Sequence, residues 1–324
     1  MRILFTGASS FTGYWFVKEL ALAGHEIVMT FRCQGADYDG IRRSRVESLR
    51  DIGHAVYSCS FGDERFLELI GQETSWDMLC HHAAEVTDYK SQRFDVAHAL
   101  HNNTRNLPQV LEALAARGCR KVLLTGSVFE GGEGAGSEGL PAFSPYGVSK
   151  EVTARVFVHY TQARQMRLGK LVIPNPFGPY EEPRFTAYLI HSWYKGKKAT
   201  VNTPDYVRDN IHVSLLAKAY ADFAGSMPAT PGFHKSNPSG YLESQGSFAS
   251  RFARNMRARL DLPCELELKR QIKFTEPRIR INTDQLDGER LGWDETAAWN
   301  DLAAYYKRIL ETPAQESASM IGPV

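Results

Sequence analysis

The chain has little of what would hold or localise a protein by means other than its own core. Its five cysteines, Cys33, Cys59, Cys80, Cys119 and Cys264, are odd in number, scattered and without paired spacing. That argues against a disulfide framework or a zinc site, and for reduced thiols in a cytosol. There is no apolar run of about eighteen residues, so no membrane span is expected. Charge of one sign is missing too: 38 Lys and Arg face 37 Asp and Glu, a net charge of +1. No general field therefore draws in nucleic acid or an anionic membrane surface. Internal repeats and low-complexity tracts are absent. The chain starts directly in a strand-like run, Arg2-Ile3-Leu4-Phe5. That leaves no room for a signal peptide, and a cytoplasmic location is the expectation.

What remains is an ordinary globular composition of 324 residues, 43% apolar and 23% charged, enough for one large domain or one and a half. Through residue 175, apolar strand-like runs alternate with helical patterns. This predicts a parallel, doubly wound α/β sheet with right-handed crossovers. Past residue 180 the alternation loosens, so residues 1–175 read as a dinucleotide-binding domain. Residues 176–324 read as a smaller mixed substrate lobe that returns some strand or helix to the first domain. The last ten residues are small and polar, and fraying is expected there.

The first turn, Thr6-Gly7-Ala8-Ser9-Ser10-Phe11-Thr12-Gly13, lies between a strand and a helical run. Small residues in that place let the backbone approach a pyrophosphate seated on a helix N-terminus. Ser10 stands where the usual pattern has its middle glycine. The second strand, His25 to Phe31, ends at Arg32, where an NAD-binding fold usually has a carboxylate. A guanidinium there suits a 2′-phosphate, which favours NADP over NAD, and Arg42, Arg43 and Arg45 follow nearby. A third strand over residues 55–63 ends at Asp63, which either accepts from an adenine amino group or caps the next helix. His81 and His82 lack metal-ligand partners at suitable spacing. Ala83 and Ala84 suit backbone running beside a cofactor. One long helix is expected over residues 93–117, with Asn102, Asn103 and Asn106 near its start or middle. The glycine- and glutamate-rich segment from Glu130 to Gly139 reads as a flexible surface loop, a candidate flap over the site.

Tyr146 and Lys150, in Ser144-Pro145-Tyr146-Gly147-Val148-Ser149-Lys150, are four residues apart and share one helix face. An ammonium held near a phenol favours the tyrosinate and tunes it for proton transfer near neutral pH. Tyr14/Lys18 and Tyr194/Lys198 have the same spacing, so spacing alone decides nothing. Only Tyr146 opens a helix between two strands, with Ser127 at the tip of the first. The strand after that helix, Leu171 to Ile173, empties into Asn175-Pro176-Phe177-Gly178-Pro179.

Together these segments resemble the extended short-chain dehydrogenase/reductase family, its nucleotide-sugar branch in particular. The resemblance spans nearly the whole chain. It rests on TGASSFTG at 6–13, HHAA at 81–84, TGS at 125–127, YGVSK at 146–150, NPFGP at 175–179 and RDNIHV at 208–213. It implies a Rossmann sheet and a nicotinamide cofactor. Tyr146 would be general acid/base, Lys150 would bind the nicotinamide ribose, and Ser127 would hold the substrate oxygen. Gly7, Ser9, Ser10, Phe11, Thr12 and Gly13 would line the pyrophosphate loop. Arg32, Asp63, His81, Ala83, Ala84 and Ile173 would complete the cofactor site. Asn175 and Arg208 would hold the substrate's diphosphate, with a salt bridge to adjacent loops as the alternative use of Arg208. Three departures stand out. Leu100 replaces a frequent asparagine, and Val172 a frequent arginine. Val128-Phe129 follows Ser127 where dehydratases carry Asp-Glu, which argues against water expulsion. The reading is an NADPH-dependent ketoreductase of a nucleotide-linked keto sugar. A 4-epimerase with retained NAD is the second reading, and a non-enzymatic NADP sensor the third. By the same resemblance a homodimer is expected, pairing through helices at 93–117 and 149–164.

Overall fold

The computed structural model describes residues 1–311; the expectation of a frayed tail falls outside them. In chain order the strands are β1 (Arg2–Thr6), β2 (Glu26–Thr30), β3 (His54–Val56), β4 (Met78–His81), β5 (Lys121–Ser127), β6 (Arg167–Ile173), β7 (Asn175–Phe177), β8 (Ala199–Val201), β9 (Val207–His212), β10 (Gly232–Ser236), β11 (Pro238–Ser239), β12 (Tyr241–Ser244), β13 (Leu266–Leu268), β14 (Ile279–Arg280) and β15 (Asp284–Gln285). The helices are α1 (Phe11–Leu22), α2 (Gly40–Ser48), α3 (Glu64–Gln72), α4 (Val96–Thr104), α5 (Leu107–Ala116), α6 (Pro145–Gln162), α7 (Phe185–Tyr194), α8 (Val213–Ser226), α9 (Gln245–Leu260) and α10 (Glu295–Glu311).

Seven parallel strands form the main sheet in the order β10-β6-β5-β4-β1-β2-β3. Its central strands are apolar on both faces, as helices on both sides require. Leu4, Val28, Leu79 and Val122 pack against α3 and α5, while Ile3, Phe5, Ile27 and Met29 face α1 and α8. The order reverses between β1 and β4, so the chain leaves β1 and β4 in opposite directions and opens a crevice at the carboxyl edge. Register brings Thr6 beside His81 and Ser127 beside Ile173 along that edge.

The region after residue 175 is divided. β10 is the seventh strand of the main sheet and α8 packs on α1. The remainder builds a separate sheet in which β9 pairs with β7, β12 and β14, and two strand pairs, β8 with β13 and β11 with β15. Its own core is aromatic: Phe177, Phe248, Phe252 and Trp299 meet at ring-centroid distances of 5.2–6.1 Å.

Two expectations fail in the fold. The long helix at 93–117 is two helices, α4 and α5, broken at Asn106, which has φ 49°. Pro108 lacks the N–H a continuous helix would need and its ring would clash with the turn before it, so the chain restarts with proline in the first turn. The third strand is only residues 54–56, after which the chain turns toward α3.

Among the described residues no helix is long and apolar enough to cross a membrane. Phe177→Ala should lower unfolding free energy by about 3–5 kcal/mol, because its ring is the hub of the aromatic cluster. Urea denaturation checks this; an unchanged midpoint would show the cluster to be peripheral.

Candidate active site

The glycine turn is built to bring backbone close to backbone. Gly7 has φ +84°, and a Cβ on it would lie 2.6 Å from Ala83 N. Ser10 caps α1: its Oγ accepts from Gly13 N at 3.1 Å and donates to Gly7 O at 2.9 Å. This explains serine in the middle position, since the hydroxyl does a capping task that glycine cannot. The N–H groups that open α1 have no partner within the helix and suit an anion. Buried Arg45 braces the loop from behind, donating to Ser9 O and Tyr180 O at 3.0 Å and pairing with Glu182 at 2.8 Å. Phe11 is buried beneath Arg45, and Thr12 meets the ring of His82. The donor set therefore fits a dinucleotide's pyrophosphate.

The two histidines divide differently from expectation. His81 is a core residue: its ring nitrogens meet Thr6 Oγ1 at 3.0 Å and Asn103 O at 3.1 Å, and the ring packs against both Phe61 and Phe157. Its side chain is thus withdrawn from any cofactor, because a buried imidazole must spend both nitrogens locally. His82 faces the turn, within 2.9 Å of Ser10 Oγ, 3.1 Å of Thr12 Oγ1 and 2.9 Å of Thr125 Oγ1. Burial, then the neighbouring Lys150 and His81, pushes it down to about 3, so it is neutral. Ala83 and Ala84 follow at the crevice, with Ala83 N donating to Thr6 Oγ1.

Arg32, two residues past β2, is exposed and lies 3.5 Å from Glu85. Arg43 and Arg45 are turned to backbone carbonyls, leaving Arg32 the more available guanidinium of the three. Asp63 adopts the cap geometry: its two carboxylate oxygens accept from Ser60 N and Phe66 N at 2.8 Å.

On the other side of the crevice, Ser144 caps α6 and Pro145 opens it. A Cβ on Gly147 would fall 2.1 Å from Phe129 O, so glycine between Tyr146 and Lys150 lets the helix seat against the loop after β5. Lys150 is buried and donates to Thr125 O at 2.6 Å. Burial lowers it to about 8, with Lys170 adding to and Glu130 opposing the effect. Tyr146 is half-buried, edge-on to Tyr89 at 5.5 Å and to Phe94 at 6.0 Å between ring centroids. Its phenol is raised well above the ordinary tyrosine range by burial and then by Glu130, against which Arg184 pulls downward. Burial and Glu130 thus act on the phenol in the opposite sense to the tyrosinate expected from the Lys150 spacing, and the Lys150 ammonium is itself bound to Thr125 O. Ser127 Oγ accepts from Phe129 N at 3.2 Å, leaving its hydroxyl proton available. Val128 N donates to Ile173 O at 3.0 Å, closing the ends of β5 and β6.

The segment after Ser127 is no free flap. Glu130 and Glu133 are both buried and both pair with Lys170. Ala135 bridges Ile281, and Arg280 donates to Val128 O at 2.8 Å and Pro141 O at 2.5 Å. Only residues 136–139 are exposed in an unbroken run. Charged side chains that looked solvated from composition are buried because lysines from β6 and β10 meet them. Asn175 lies on β7 opposite Asn210 of β9. Arg208 is 14% exposed, paired with Glu276 at 2.6 Å and donating to Val207 O, Pro277 O and Arg278 O. That is the salt-bridge use. Sequence reasoning missed His82, Tyr89, Phe94, Glu130, Arg184 and Arg280. The HHAA motif could have flagged His82, whereas no local pattern marks the others. Among the described residues no three His, Cys, Asp or Glu gather into a metal-holding group.

The sequence pattern of the NAD dependent epimerase/dehydratase family matches residues 3–227. The chain superposes on UDP-glucose 4-epimerase from Thermotoga maritima, in complex with UDP-glucose, at a TM-score of 0.71 with 20% identity, over 96% of this chain and 100% of that one. UDP-glucuronic acid 4-epimerase from Bacillus cereus, with UDP-glucuronic acid and NAD, gives 0.70 and 17% over 95% and 99%. The dTDP-glucose 4,6-dehydratase DesIV from Streptomyces venezuelae gives 0.68 and 16% over 95% and 97%. At these identities the likeness is one of fold. No curated protein matches the chain in sequence.

Lys150 binds fewer protons in the folded than in the unfolded chain between pH 8 and the ordinary lysine value. Its contribution to stability therefore rises with pH across that window and is unfavourable below it. Lys150→Met should raise Tm by about 2–4 °C or more at pH 7, a gain that shrinks toward pH 10. Calorimetry across pH checks this; a loss of stability at pH 7 would show that the Thr125 hydrogen bond outweighs desolvation.

Proposed function

Because the chain belongs to the NAD dependent epimerase/dehydratase family, we propose that it reduces a keto group of a nucleotide-linked sugar with NADPH. The observation that carries this reading is the placement of Tyr146 in the first turn of α6, one helical turn from the buried Lys150 and beside the end of β5 that carries Ser127; burial raises its phenol, which favours the protonated form. A protonated phenol donates to a developing alkoxide. Ser127 donates its free hydroxyl hydrogen to the same oxygen and orients it. Lys150 carries a positive charge below about pH 8 that stabilises the tyrosinate left behind. The loop from Gly7 to Gly13 and the backbone of Ala83 and Ala84 would hold the dinucleotide, Ile173 flanking it. A bound nicotinamide supplies the hydride. Arg32 is the residue that would meet a 2′-phosphate, exchanging Glu85 for it. Asn175 and Arg208 are the proposed contacts of the substrate's diphosphate, which would displace Glu276 from Arg208. Pairing of two copies through α4, α5 and α6 belongs to the same reading, and a stable monomer in light scattering would remove it.

A second reading, 4-epimerisation on a retained NAD, is favoured by the 4-epimerases among the similar structures. Purified protein separates the two. Keto-sugar-dependent loss of NADPH absorbance supports the reductase. A tightly held oxidised cofactor, with sugar inversion and no net NADPH use, replaces it with the epimerase. Tyr146→Phe should lower kcat at least about 100-fold with cofactor affinity kept. Arg32→Ala should raise KM for NADPH about tenfold or more and leave NADH unchanged. Equal use of both cofactors by the parent protein would end the NADPH assignment.

A further inference from the structure

Directly behind Ser127 lies a charge network that the proposed chemistry does not use. Glu130 is fully buried. Its Oε1 accepts from Ser127 N at 2.7 Å, and its Oε2 pairs with Lys170 Nζ. Lys170 is also buried; it comes from β6 and pairs with Glu133 at 2.8 Å, while Glu133 reaches Lys235 of β10 at 3.0 Å. The lysine stem passes under the end of β5, where a Cβ on Gly126 would lie 2.5 Å from Lys170 Cε and 3.1 Å from Glu130 Oε1. Any side chain at 126 would push this pair aside. The arrangement joins three elements at the one point where β5 gives way to the active-site loop.

We propose that Glu130 is a positioning residue: it fixes the Ser127 turn through the Ser127 N–H and holds a negative charge against Tyr146 and Lys150 that Lys170 partly balances. The charged and titratable groups facing Tyr146 are Glu130 from the loop after β5, Arg184 from the segment before α7, and Tyr89 from the loop after β4. Those facing Lys150 are Glu130, Lys170 of β6, and the neutral His81 and His82 at the end of β4. Glu130 is the single carboxylate common to both sets. It favours the protonated form of each, keeping the phenol a proton donor and the lysine a cation, while Lys170 acts on Lys150 in the opposite sense. Burial opposes the charge on Lys170 as well, but Glu130 and Glu133 outweigh it and raise the lysine, which keeps it a cation.

The catalytic meaning of this inference rests on the Tyr146–Lys150 reading of the site. Its test needs no turnover, so the two can fail separately. The protein without added ligand, labelled with [13Cζ]tyrosine and [13Cε]lysine, is titrated by NMR, with Tyr146 and Lys150 assigned by the signals lost in Tyr146→Phe and Lys150→Met. Glu130→Gln is expected to move both midpoints to lower pH, by about one unit or more. Lys170→Met, which unmasks the carboxylate, is expected to move both upward, and it reads the same coupling should Glu130→Gln not fold. Glu133→Gln removes an ion pair of similar burial but leaves Glu130 on Lys170, and is expected to leave both midpoints in place. Midpoints unmoved in Glu130→Gln and Lys170→Met, or moved equally by Glu133→Gln, overturn the proposal and reduce the network to a structural tie.

Discussion

Two ammonium groups, Lys150 and Lys170, lie buried under the same edge of a parallel sheet, and a single carboxylate, Glu130, acts on both. Taking such charges out of water is costly, and their attraction repays that cost only when the geometry is good and remaining donors are satisfied. Here those conditions are met by backbone and by a second acid. Thr125 O accepts from Lys150, Ser127 N donates to Glu130, and Glu133 shares Lys170. Breaking such a buried pair typically costs about 3–5 kcal/mol. The loop between β5 and α6 is therefore held in one conformation, although its glycines alone would leave it loose.

That rigidity bears on the chemistry. Ser127, Tyr146 and Lys150 come from the end of a strand and the first two turns of a helix that packs against it. Arg280 adds a second clamp by reaching from the smaller lobe to Val128 O and Pro141 O. The smaller sheet is thus tied to the turn that follows Ser127. Positioning of this kind contributes through preorganisation rather than by new bonds at the reacting atom.

The glycine turn on the opposite side follows another logic. There the contacts of the turn itself are neutral, Gly7 against Ala83 and Ser10 and Thr12 against an uncharged His82, while Arg45 is turned inward to carbonyls and Glu182. The N-terminus of α1 is left as the electropositive feature of that wall. A crevice with a fixed partial positive charge on one side and a proton donor on the other suits an anionic cofactor and a carbonyl substrate.

The sequence alone determined the alternation of strands and helices, the turn at 6–13, the cap and spacing that open α6, and the serine at the tip of β5. Each is a local pattern: periodicity, a glycine needed for close approach, a capping residue. The tertiary structure decided the states of those residues. It buried Glu130 and Glu133, which composition marked as solvated, because Lys170 and Lys235 come from strands forty and about a hundred positions away. It raised the Tyr146 phenol by burial, turned His81 into the core in favour of His82, gave Arg208 to Glu276, and returned β10 to the main sheet. Desolvation and long-range charge pairing act through space, so no spacing along the chain could have revealed them.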